Sequence, residues 1–169
     1  MPGANIRRMS VTFDRRSLLI AAFLAAILPR GTWASPSLRT PRILLVCQFG
    51  TVKSPVAREL LKRRAAQRGI QLAVTSRGIT PQDHITPDLM KRLAADDINP
   101  AAQPLRKLSA SDVAGADLVI AFDRLPPAFH PRRFEDWSDL PSMVNNYAIA
   151  REMLDARIEH LLDSIAAEH

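Results

Sequence analysis

The apolar run Arg42-Ile-Leu-Leu-Val-Cys47 constrains this chain more than any other feature. A short continuous apolar stretch reads as a strand buried on both faces. Such a strand needs helices above and below it, which points to a parallel sheet. The rest of the chain alternates to match. Ser54 to Arg68 reads as a helix, with Val56, Ala57, Leu60, Leu61 and Ala65 along one stripe and Gly69 at its end. Gln71 to Ser76 reads as a second strand. Thr86-Pro87-Asp88 opens another helix: a threonine cap, proline at the first helical position, then an acid near the positive end. Leu89, Met90, Leu93 and Ala94 form its expected buried face. A short helical turn begins at Ser109 and includes Asp112, and Asp117 to Phe122 is a third strand. Residues 123–142 are proline-rich and read as one long loop, long enough to carry function. Ile149, Met153, Leu154, Ile158, Leu161, Leu162 and Ile165 mark a terminal helix. The expected fold is α/β: a small parallel sheet of about four strands with helices on both faces.

Residues 1–34 read as an export signal. Arg15-Arg16 precedes an apolar run from Ser17 to Leu28, which is too short for a bilayer span of ~20 residues. Paired arginines before such a run resemble a twin-arginine signal, so the expected location is the periplasm or another exported compartment. A cut after Ala34 would place Thr32 and Ala34 at the small-residue positions and leave no stable membrane span. Residues 35–41 then form a Pro/Ser/Arg linker, and 42–168 form the domain. The signal holds five arginines against one acid, so the overall charge of +6 falls to +2 (18 basic against 16 acidic) for the remainder. That balance argues against a nucleic-acid partner, which asks for a basic face.

The segment from Cys47 to Pro55 carries the chemistry. It joins a strand to a helix in about seven residues. Amides at a helix start lack partners within the helix and make an anion cradle. Gly50 permits a left-handed turn, while Ser54 and Pro55 suit the cap and first helical position. A cysteine under those amides is favoured as its thiolate, the nucleophilic form. Lys53 can bring its ammonium over a bound oxyanion. A cysteine ending a buried strand is otherwise a small core hydrophobe. The glycine, the Lys-Ser pair and the proline-started helix favour the nucleophile instead. Gly50-Thr-Val-Lys53-Ser54 also echoes a nucleotide-binding loop, but Val52 and Cys47 stand where that motif requires glycine.

The strand, cysteine, five residues, basic residue, serine and helix resemble the low-molecular-weight protein tyrosine phosphatase superfamily, which includes thiol-dependent arsenate reductases. Thr75-Ser76-Arg77-Gly78, Leu105 to Asp112 and Leu118 to Asp123 resemble further family segments in the same order. The resemblance implies a phosphatase-like fold and a two-step hydrolysis of phosphomonoesters, with phosphotyrosine a candidate. Cys47 would attack phosphorus and form a thiophosphate. The loop from Gln48 through Phe49, Gly50, Thr51 and Val52 to Lys53 would hold the oxyanion. Ser54 would assist the thiolate. Asp139, or failing that Asp136, would be the general acid. The chain departs from the family at Lys53, where arginine is usual, at Phe49-Gly50 in place of Gly-Asn, and in its late Asp-Pro. Lysine lacks the planar fork that arginine offers an oxyanion.

The resemblance and the departures leave other functions open. One is an oxyanion-binding module without turnover. Another is arsenate reduction that borrows an external thiol, because Cys47 is the single cysteine. A third is a thiol sensor. No cofactor is expected, and no metal, because His84, His130, His160 and His169 show no ligand spacing. They read as surface histidines, and Arg132 and Arg133 as solvated charges. Trp137 either walls the pocket or pins the loop.

Overall fold

The computed structural model describes residues 39–83 and 85–168. The expected signal, most of the linker, His84 and His169 lie outside the described residues. Four strands form one sheet in the order β2-β1-β3-β4. They are β1 (Arg42–Cys47), β2 (Ala73–Gly78), β3 (Leu118–Ala121) and β4 (Phe134–Asp136). Every pairing is parallel. The helices are α1 (Lys53–Gln67), α2 (Pro87–Ala95), α3 (Ala110–Gly115) and α4 (Tyr147–Ala167), with a 3₁₀ turn at Pro100–Ala102. None of the described helices is long and apolar enough to cross a membrane.

Alternation along β1 builds the two cores. Ile43, Leu45 and Cys47 join a cluster with residues of α1, α2 and α4, including Val56, Leu60, Leu93, Leu154 and Ile158. Leu44 and Val46 face the other way, against Leu108, Val113 and Val119. β1 is thus buried on both faces, as its unbroken apolar run requires. Each fully buried Leu, Ile or Val contributes about 1.5–3 kcal/mol.

Local signals account for most element ends. The Thr86 hydroxyl accepts from the Leu89 amide, with proline opening α2. Gly69 takes φ +69 just after α1. Ser109 and Asp112 form a reciprocal capping box on α3. Four expectations are corrected. The Phe134–Asp136 strand lies inside the expected loop, made by pairing with β3. Met90 and Ala94 are exposed, so α2 buries only Leu89 and Leu93. Ile149 is exposed at the start of α4. Ser54 does not cap α1, whose N-cap position is Val52 and carries no side-chain cap.

Asp112 also receives Arg77 Nε at 2.9 Å, tying α3 to β2. Burial works to raise its pKa, but bonds from Ser109 and Arg77 outweigh that and hold it below the usual carboxylate range. Its stabilising effect is therefore present above the unfolded value of about 4 and is lost as pH falls through the folded value. Asp112→Ala should cost about 2 kcal/mol at pH 7. Urea midpoints check this, and the gap to wild type should narrow as pH falls below about 4.

Candidate active site

The parallel register brings three carboxyl ends to one edge of the sheet. Cys47 pairs with Gly78, Val46 pairs with Ala121, and Asp123 follows two residues later. Ligands of open α/β sheets bind at such an edge. Residues 48–52 turn there from β1 into α1. Their path is fastened on one side by the chain that follows β2. The amides of Ile79, Thr80 and Gln82 donate to the carbonyls of Cys47, Gln48 and Phe49 at 3.1, 2.9 and 3.1 Å.

Gly50 takes φ +72, the left-handed region. Its amide then donates to Cys47 Sγ at 3.2 Å. A Cβ on Gly50 would stand 2.7 Å from the Gly78 nitrogen and 2.8 Å from its Cα. The loop therefore lies flat on a second glycine. Gly78 closes the family-like Thr-Ser-Arg-Gly segment.

Cys47 is 5% exposed and forms part of the wall of a cavity of ≈ 210 Å³. Gln48, Phe49, Thr51, Val52 and Lys53 line it from the loop and the start of α1, Asp123 from just beyond β3, and Ser142, Met143 and Val144 from the late segment. The Ser54 hydroxyl is 3.1 Å from Sγ and 3.4 Å from the Arg77 carbonyl. One hydroxyl proton serves one of them at a time. With a thiol, S–H donates to Oγ and O–H to Arg77. With a thiolate, O–H turns to sulfur. Ser54 thus bridges Cys47 and Arg77 rather than closing the end of the helix.

Lys53 Nζ donates to the Leu140 carbonyl at 2.8 Å. An ammonium has three donors, so two stay available to an anion in the cavity. The Gln48 amide is engaged: it donates to Asp123 Oδ2 at 2.8 Å. The loop brings Cys47, Lys53 and Ser54 together, and the amides of Gln48 and Gly50 donate to Asp123 and to Cys47.

The structure does not bring Asp139 to the cavity. Its carboxylate accepts from Arg157 of α4 at 2.5 Å and is 64% exposed. That bond holds its pKa below the usual carboxylate range. Asp136 is lowered too, by its hydrogen bond to Ser138, whose amide reaches Oδ1 at 2.8 Å. Trp137 pins the segment: it is buried, edge-on to Phe122 at 5.7 Å, with Arg157 over its ring. Arg133 pairs with Glu168 rather than standing free, while Arg132, His130 and His160 are exposed.

Sequence reasoning gave Arg58 no role. It is 1% exposed, and its guanidinium donates to Ser76 Oγ at 2.6 Å, the Pro100 carbonyl at 3.0 Å and Glu59 at 2.6 Å. With Gly50 and Thr51 it lines a cavity behind the loop. Arg58 lies four residues after Ser54 and three before Leu61 on α1, a spacing that places all three on one face.

A family model described as low molecular weight phosphotyrosine protein phosphatase matches residues 42–136, more than half of the chain. No curated protein matches it. Among solved structures the chain is similar to a low molecular weight protein tyrosine phosphatase from T. tengcongensis, at 18% identity and a TM-score of 0.64, over 74% of this chain and 99% of that one. It is also similar to YfkJ from Bacillus subtilis, at 20% identity and a TM-score of 0.63, over 76% and 96%. A third likeness is to a thioredoxin-dependent arsenate reductase from Corynebacterium glutamicum, at 24% identity and a TM-score of 0.58, over 77% and 64%. At these identities the likeness carries the fold: a parallel four-stranded sheet with helices.

Proposed function

The chain belongs to the low molecular weight phosphotyrosine protein phosphatase family, and from that premise we propose that it hydrolyses phosphate monoesters through Cys47. One observation carries the reading. The Gly50 amide and the Ser54 hydroxyl both reach Cys47 Sγ at the base of a cavity with Lys53 in its wall.

In this reading the phosphoryl group sits in the cavity with its oxygens towards the loop amides and the Lys53 ammonium. These groups stabilise the charge that spreads over the equatorial oxygens during in-line transfer. The Cys47 thiolate attacks phosphorus, the ester oxygen leaves, and water then releases phosphate from the thiophosphate. Ser54 donates to sulfur when it departs.

The test is hydrolysis of an aryl phosphate by the full chain, beside protection of Cys47 from iodoacetamide by inorganic phosphate. Phosphate release with protection supports the reading. Protection without release would sink it and leave an oxyanion-binding module. Lys53→Met should weaken phosphate protection roughly 10- to 100-fold, the loss of a charge-assisted hydrogen bond of about 1.5–3 kcal/mol. Unchanged protection would show that the ammonium stays with Leu140.

A further inference from the structure

We propose that Arg58 is a positioning residue for the loop, tying to α1 the two chain segments that press on Gly50; this rests on the reading of the Cys47 cavity as a phosphate site. Arg58 is 1% exposed and donates in three directions. It reaches Ser76 Oγ on β2 at 2.6 Å, the Pro100 carbonyl of the 3₁₀ turn at 3.0 Å, and Glu59 at 2.6 Å. Core packing alone does not call for a guanidinium there. Apolar side chains of similar volume often match or exceed a buried ion pair in stability.

Both segments that Arg58 holds run on to the loop. On β2, Ser76 is followed by Arg77, whose carbonyl accepts from the Ser54 hydroxyl at 3.4 Å. Gly78 comes next and lies against Gly50. Past the 3₁₀ turn, Leu105 meets the same glycine: a Cβ on Gly50 would stand 2.8 Å from Leu105 Cδ1. The Arg106 carbonyl accepts from the Gly78 amide at 3.0 Å, which joins the two segments to each other.

Arg58, Ser76, Gly50 and Thr51 share the wall of a cavity of ≈ 190 Å³ behind the loop. A loop backed by a cavity takes its position from its flanks rather than from close packing at its rear. The group that depends on this is the Gly50 amide, which donates to Cys47 Sγ at 3.2 Å. Arg58 does not line the Cys47 cavity, so it acts through Ser76 and Pro100.

The experiment uses the full chain, below the melting transition of each variant. It reads the phosphate concentration that half-protects Cys47 from iodoacetamide, and kcat and KM on an aryl phosphate. Arg58→Met should raise the half-protecting concentration and lower kcat, each by ~10- to 100-fold. Arg58→Lys, which keeps the charge and loses the fork, should recover part of both. Ser76→Ala should move both the same way by less. Adding Ser76→Ala to Arg58→Met should change nothing further, as for two groups in one network. Ile165→Ala is the control for stability alone. Ile165 is buried on α4 just beyond Asp163, which pairs with Arg68 past the far end of α1. It should lower the urea midpoint and leave protection unchanged.

Wild-type protection and kcat in Arg58→Met, with only the urea midpoint moved, would make Arg58 purely structural and overturn the proposal. So would additive losses in the double variant, or an equal loss of protection in Ile165→Ala. If Arg58→Met does not fold, Ser76→Ala decides: unchanged protection there would overturn the proposal. A wild-type chain that phosphate protects but that turns nothing over would end the phosphatase reading, and the protection readout would still decide on Arg58. A wild-type chain without protection would overturn both.

Discussion

Cys47→Ser should lower aryl phosphate turnover by the full chain by about 10⁴-fold or more. The sulfur is the one atom towards which the Gly50 amide and the Ser54 hydroxyl converge. Both can donate to a thiolate, the nucleophilic form of cysteine. A serine hydroxyl stays protonated in the same place, and among the described residues no histidine lines the cavity to serve as its base. Serine is close to cysteine in volume, so the melting temperature should stay near wild type. Phosphate release and a thermal melt on the same sample check both halves. Residual turnover within tenfold of wild type would remove Cys47 from the mechanism.

Gly50→Ala should cost stability and turnover together. The residue sits at φ +72, which costs an alanine roughly 1–2 kcal/mol. Its Cβ would also enter the Gly78 backbone at 2.7 Å, an overpacking worth about 1–3 kcal/mol. The sum is about 3 kcal/mol, read from urea midpoints. Relief of the clash must move the peptide that donates to Cys47, so turnover should fall at least ~10-fold. Gly69→Ala is the matched comparison. It has φ +69 and open space around its Cβ position, so it carries the dihedral cost alone and leaves turnover unchanged. Equal losses in both variants would mean that the glycine–glycine contact contributes nothing.

Whatever depends on neighbours in sequence was legible before the fold was known. The unbroken apolar β1, the Thr-Pro opening of α2 and the Ser109–Asp112 box each state their structure locally. The strand-to-helix turn at residues 48–52 was legible for the same reason, since the glycine and the helix start lie in one stretch. What escaped depends on partners far along the chain. Phe134–Asp136 is short and half polar, and only pairing with β3 makes it a strand. The direction of Asp139 is set by Arg157, 18 residues later on α4. Ser54 was expected at a cap as well as beside Cys47, and Val52 takes the cap position while the Ser54 hydroxyl also reaches the Arg77 carbonyl of β2. Asp123 reads in sequence as the first residue of a long loop, and only the sheet register carries it to the edge beside Cys47. Arg58 was within reach of helical spacing, but a charged residue beside an apolar stripe is usually assigned to solvent.

The signature from Cys47 to Ser54 occupies one short stretch of chain, yet its shape is borrowed. Three of its carbonyls are held by the chain after β2. Its Gln48 side chain reaches a partner 32 positions away, and its Gln48 amide one 75 positions away. A peptide with the full signature would lack every one of these fastenings. The loop is therefore no transplantable cassette. Moving it to a new host means moving the β1–β2–β3 edge with it.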